Sequence, residues 1–179
     1  KFQQEVGVFQ DFTQNKQELE KTLMKIFRDP PAWSESCLVD AVKTVLDLIN
    51  DNRESLSDKV SIVLISTGLD TFSKNPYDKT LKEAQNSGVV IYAISVGQQV
   101  RLLQEQYMRA EDRMEFLVSD NRLKSFAELT GGEAFFPKFA GEFGSIFENI
   151  SNNLRNQYSL GYISNNTKKD GKFRKLKYK

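Results

Sequence analysis

The sequence predicts an α/β protein in which a mostly parallel sheet is covered by helices on both faces. The strongest sign is Val60 to Asp70, VSIVLISTGLD, a run of β-branched and aliphatic residues that stops at small polar residues, a glycine and a carboxylate. Such an unbroken run suits a strand buried on both faces, because a strand with one wet face would alternate apolar and polar positions. Val89 to Val96, VVIYAISV, repeats the pattern. The segment between them has the grammar of a helix start and stop, so strand, helix and strand follow at the spacing of a right-handed parallel crossover. Ligands of open α/β sheets sit at the carboxyl ends of the strands. Ser66, Thr67, Gly68 and Asp70 occupy that place.

Composition sets bounds on the rest. With 179 residues, 39% of them hydrophobic, the chain can bury one sizeable core. A formal charge of +1 from interspersed acids and bases makes no basic field for nucleic acid, and the aromatic residues do not cluster as in RNA-binding modules. No apolar run approaches the roughly 18 residues that span a bilayer, and the first residues do not read as a signal peptide. A single cysteine, Cys37, excludes an internal disulfide. The absence of histidine removes His-based triads and His-ligated zinc from this sequence.

Phe2 to Phe12 alternates in part around Val6 and Val8 and is read as a short edge strand. Asn15 and Glu18 have the spacing of a capping box, and Leu19, Leu23, Ile26 and Phe27 recur at helical spacing until Asp29, Pro30 and Pro31 stop the helix. A loop with a tryptophan runs to Ser36. Cys37 to Asn50 is a second helix with Leu38, Val42, Val45 and Ile49 on one face and Ser34 or Ser36 as its N-cap. After the Val60 strand, Asn75, Pro76 and Asp78 give a third helix its cap, a first-position proline and an acid in the first turn. That helix runs to about Ser87, and Gly88 closes it in a left-handed cap. Gly97 to Ser119 is charge-rich and only partly helical in spacing, and is read as an inserted surface helix. Asp120 to Thr130 is a helix ended by Gly131 and Gly132, Ala134 to Phe136 a short strand, and Phe143 to Gln157 a long amphipathic helix. Tyr158 to Lys179 alternates on either side of a turn-rich stretch and is read as a β-hairpin with a basic face. That face is either a solvated edge guarded by lysines or a surface for an anionic partner. The domain is thus 1–157, with a hairpin extension at 158–179.

The order of SESCLVDAV, VSIVLISTGLDTFS, VVIYAISVG, LTGGEAFFP, NQYSLGY and DGKFRKLK resembles the von Willebrand factor A (VWA) domain, and more narrowly the VWFA-related proteins common in Acidobacteria. The resemblance covers nearly the whole chain. It implies a doubly wound sheet, no enzymatic chemistry, an extracytoplasmic (periplasmic or secreted) setting, and a protein or matrix partner bound at the top of the sheet through a metal-ion-dependent adhesion site. It also implies that the first strand of the domain, with its D-x-S-x-S loop, lies before Lys1. The chain from Lys1 onward is then expected not to fold properly by itself. Baring the neighbours of that strand would cost roughly 1.5 to 3 kcal/mol per large apolar side chain, against a total stability of about 5 to 15 kcal/mol.

In such a site Mg²⁺ takes about six oxygens at roughly 2.1 Å and, held mainly by hydroxyls and water, seeks a carboxylate from the partner. Carried onto this chain, the resemblance makes Ser36 the hydroxyl of the second loop, in place of the family threonine. It puts Thr67 where the third loop normally has aspartate. Asp70, three residues on, is the carboxylate available to stand in. Ser36 and Asp70 are therefore the candidate Mg²⁺ ligands, and Ser34, Asp40, Ser66, Thr67 and Gly68 the candidate binding-loop residues. Ser36 reads equally as an N-cap, and Asp70 reads as an acid that structures its loop through nearby backbone amides. Asp40, one helical turn beyond Ser36, is placed to bond to the opposing loop. With a neutral Thr67 in the third loop, weak or absent Mg²⁺ binding is expected.

Cys37 lies near a helix N-terminus, which stabilises a thiolate, but with no histidine as base and beside leucine and valine it reads as buried filler. Neither a G-x-G-x-x-G nor a P-loop pattern follows any strand. The sequons at Asn149 and Asn165 are assigned no role. The expected function is a non-enzymatic, adhesion-type protein-binding module with a degenerate metal site. The alternative is a structural or assembly subunit of a larger extracytoplasmic complex, docking through the basic hairpin and the 97–119 insertion.

Overall fold

The two long apolar runs form strands. β1 (Ser61–Ser66) and β2 (Val90–Ser95) pair in parallel, in register from Ser61 beside Val90 to Ser66 beside Ser95. β2 also pairs in parallel with β3 (Ala134–Phe135), so the three strands lie in sequence order. This computed structural model describes residues 6–28, 36–56 and 59–156. Ser34, the start of the Phe2 to Phe12 stretch and the 158–179 hairpin lie outside the described residues.

Among the described residues six α-helices accompany the strands: α1 (Lys16–Arg28), α2 (Leu38–Asp51), α3 (Tyr77–Asn86), α4 (Gly97–Gln104), α5 (Ala110–Glu128) and α6 (Phe143–Arg155). Side chains alternate across a strand, and the two faces of β2 pack into two separate clusters. Ile91 and Ala93, with Leu64 of β1, meet Leu38, Val42, Leu46 and Ile49 of α2, Ala84 of α3, and Leu123, Phe126 and Ala127 of α5. Tyr92 and Ile94, on the other face, meet Ile146 and Ile150 of α6. The fold is therefore mixed α/β, with helices against both faces of β2. Phe126 is fully buried and meets the Tyr77 ring edge-on, 5.4 Å between centroids. α1 belongs to neither cluster, and Leu19, Leu23 and Met24 along it are exposed. Among the described residues no helix is long and apolar enough to cross a membrane.

Several sequence expectations are corrected. Between Val6 and Phe12 only Val6 makes a bridge, and the rest is irregular; alternation makes a ladder only where a neighbouring strand supplies hydrogen-bond partners. β2 is buried on both faces as expected, but β1 is not. Val63 and Ile65 are 42% and 48% exposed, because α6 covers Tyr92 and Ile94 and does not reach their register partners on β1. The inserted helix and the Asp120 helix are not separate either. α4 takes the start of the insertion, while α5 runs unbroken from Ala110 through Ser119 to Glu128, opened by the Arg109 N–H donating to the Asp112 carboxylate and free of glycine and proline until its end. Pro76 is the N-cap of α3 and not its first residue, since Asn75 turns its side chain elsewhere.

Candidate functional site

The carboxyl end of β1 runs into a loop that is tied down at every step. The Ser66 hydroxyl accepts the Gly68 N–H at 3.0 Å, closing a tight turn, and Thr67 Oγ1 accepts the Leu69 N–H at 3.4 Å. Gly68 takes φ +83°, and a Cβ there would sit 2.5 Å from the Ser119 carbonyl oxygen. Both facts require glycine. The Gly68 carbonyl in turn accepts a hydrogen bond from Arg122 at 2.8 Å, and the same guanidinium lies 5.7 Å from the Tyr77 ring centroid. Ser66 and Thr67 thus shape the turn, and Gly68 seats it on α5.

The next residues bind it to the start of α2. The Ser36 N–H donates to Thr71 Oγ1, and the Ser36 carbonyl accepts the Thr71 and Phe72 N–H groups at 2.8 and 3.0 Å. Asp70 Oδ1 accepts the Ser73 hydroxyl, and the Ser73 oxygen accepts the Asp40 N–H at 3.1 Å. The Asp40 carboxylate accepts the N–H groups of Lys74 and Asn75, each at 2.9 Å, and the Asn75 side-chain amide at 2.8 Å. Burial on its own pushes the Asp40 carboxyl up, but the Lys74 and Asn75 donors and the Lys74 charge outweigh it and hold the group below the usual aspartate range.

Ser36, Asp40 and Asp70 therefore come together in one network, while Ser66, Thr67 and Gly68 form the adjoining turn. Asp40 bonds to the opposing loop as its position in α2 suggested. The N-cap assignment is corrected: Cys37, not Ser36, occupies that position, without a side-chain cap bond. One of the unpaired N–H groups of the first turn, that of Asp40, is satisfied by Ser73 instead. Asp70 does structure its loop, through the Ser73 hydroxyl and not a backbone amide. Sequence reasoning missed Ser73, Asn75 and Arg122. The first two were legible only as a polar stretch after a strand, and Arg122 gave no signal.

A second polar group lies at the end of β2. Asp120, on α5, accepts hydrogen bonds from Gln98 at 2.8 Å and Arg101 at 3.3 Å, both on α4. Burial pushes its carboxyl up against the opposing pull of Arg101, Gln98 and Lys124. Ser95, fully buried beside Ser66, has no hydrogen-bond partner for its hydroxyl among the described residues.

Most of the candidate ligand oxygens already accept hydrogen bonds within the protein. Both Asp40 oxygens face N–H donors, one Asp70 oxygen faces a hydroxyl donor, and the Ser66 and Thr67 oxygens accept backbone N–H groups. Among the described residues no group of three or more carboxylate, cysteine or histidine side chains is placed to hold a metal ion.

No protein-family model matches the chain, and no curated protein matches it. Among solved structures it is similar to an uncharacterized membrane spanning protein from Vibrio fischeri, at 16% identity over 84% of this chain and 72% of that one, with a TM-score of 0.39. A likeness of that degree carries no argument about fold or function.

Proposed function

We propose that the chain is a VWA-type, non-enzymatic protein-binding module of an extracytoplasmic protein, with a doubly wound sheet and a degenerate metal site. The supporting observation is the network at the carboxyl end of β1. Ser36, Asp40, Asp70 and Ser73 lash the loop to α2, and Arg122 lashes it to α5. A surface held this way loses little conformational freedom when a partner docks. Its acids are used within the protein, so it offers a partner shape and fixed polar groups where an intact adhesion site would offer an ion.

The reading is tested by placing the photo-crosslinker benzoylphenylalanine at Thr67 or Phe72 in the intact protein. One protein partner should be captured at both positions, equally with Mg²⁺ and with EDTA. Capture that requires Mg²⁺ would overturn the degenerate site, and no captured protein at either position would overturn this loop as the binding surface.

The assembly reading keeps a specific observation in its favour. Leu103 and Tyr107 are each 80% exposed and Met114 is 60% exposed, an apolar display on the insertion that suits docking onto a larger complex.

A further inference from the structure

We propose that the groove between the Gly68 loop and the start of α5 receives an arginine or lysine flanked by apolar residues on a segment of a protein partner. The inference rests on the binding-module reading and names the recognition element within it. Leu69, Tyr107, Met108 and Phe116 form the apolar part of an open groove of about 500 Å³, and Asp112 and Glu115, three residues apart on α5, supply its charge. No basic side chain lines it.

The groove lies beside the carboxyl end of β1, where sheets of this class place their ligands. Both walls are set before anything binds. Leu69 directly follows Gly68, which is pinned by Arg122 and by the close passage of Ser119. Tyr107 and Met108 directly precede Arg109, the N-cap whose backbone N–H donates to Asp112 at 3.0 Å. A preformed groove spares the partner the cost of ordering it.

Charge complementarity selects the occupant. The Arg109 guanidinium reaches Asp112 only at 3.4 Å and from a side chain that is largely exposed. An exposed pair of this kind adds little stability, so an incoming guanidinium can share Asp112 while Glu115 takes its other edge. Glu111, one residue away, lies 4.0 Å from the Arg109 guanidinium, and Arg113 sets a positive charge on the other side of Asp112, so Glu115 carries most of the selection. Tyr107 and Phe116 bring aromatic rings to the groove, and Leu69 and Met108 bring apolar surface for the neighbours of the cation. An acidic segment would be repelled by Glu115 and would gain nothing at Asp112, which Arg109 already holds.

Two labelled pentapeptides test this by fluorescence anisotropy against the intact protein at physiological salt, one alternating leucine with arginine and one alternating leucine with glutamate. The arginine probe should bind at least about tenfold more tightly than its twin, and Glu115→Lys should weaken it by about tenfold or more. Tyr107→Ser should weaken it by roughly threefold to tenfold. Both substituted side chains are exposed, so the thermal midpoint should not move. The formal charge of +1 gives the basic probe no overall advantage. Equal affinity for the two probes, or undiminished binding by Glu115→Lys, would overturn the proposal. Either result alongside persistent crosslinking from Thr67 and Phe72 removes the groove and leaves the module. Lost crosslinking with retained, Glu115-dependent probe binding removes that loop surface and leaves the groove.

Discussion

Asp40 is the residue on which the loop cluster turns, and its ionisation gives that statement a measurable form. Its carboxyl is held below the aspartate range in the folded protein, so its stabilisation is complete above the unfolded pKa of about 3.9 and is lost as pH falls toward the folded value. Asp40→Asn is expected to cost about 1 to 3 kcal/mol at neutral pH, because two backbone N–H groups and an amide lose a charged acceptor. Chemical denaturation at neutral and acid pH checks this. The gap to the wild type should close below about pH 4, and a gap of constant size would show that charge is not what holds the loop. Asp120 runs the opposite way. Burial raises its pKa, so its ionised form opposes folding and its contribution declines as pH rises through the folded value. The sequence placed Asp40 one turn beyond Ser36, facing the loop. It did not reveal Ser73 or Asn75 as the partners, because they lie 33 and 35 residues away and only folding chooses which polar residue of a loop meets a given acid.

At the scale of elements, the Thr130-Gly131-Gly132 segment shows how a short motif ends one element and seats the next. The Thr130 hydroxyl donates back to the Phe126 carbonyl at 2.8 Å and accepts the Ile91 N–H at 3.0 Å, joining the end of α5 to β2. A Cβ at Gly132 would lie 2.0 Å from the Ile91 carbonyl oxygen. Gly132→Ala must therefore displace backbone, and a loss of about 1 to 3 kcal/mol is expected from denaturation midpoints. Gly141, where a Cβ would meet nothing within 4 Å, is the control, and Gly141→Ala should stay within about 0.5 kcal/mol. Comparable losses at both positions would mean that the close approach to β2 does not set the cost, since the lower chain entropy of alanine acts in the stabilising direction. Glycines mark where a helix ends because their effect is local. The start of α5 was misplaced because Arg109, a rare cap, opens it, and because an exposed first half shows little apolar periodicity.

Across the whole molecule, the sheet is protected unevenly. Tyr92 and Ile94 lie under α6, while Val63 and Ile65, beside them on β1, are half open to water. Among the described residues β1 has one strand neighbour, and it carries neither proline nor charge between Ser61 and Ser66. Exposed edges of that composition invite pairing with other chains. Ile65→Lys should suppress concentration-dependent association while changing stability by less than about 1 kcal/mol, since the side chain replaced is already half in water. Sedimentation velocity across a concentration series measures it, and association unchanged by the substitution would place the sticky surface elsewhere, with the exposed stripe of α1 the next to examine.

The sequence by itself determined the class of the fold, the two long strands, the helix between them and the position of the loop where their carboxyl ends open. Those features follow from periodicity, capping residues and glycine placement, which act over a few residues. Only the tertiary structure decided that Asp40, Ser73 and Asp70 share one network, that Arg122 clamps Gly68, and that β1 is covered on one face alone. Each of these depends on which distant segments come within about 3 Å of one another or overlie a given strand, and packing of the whole chain settles that.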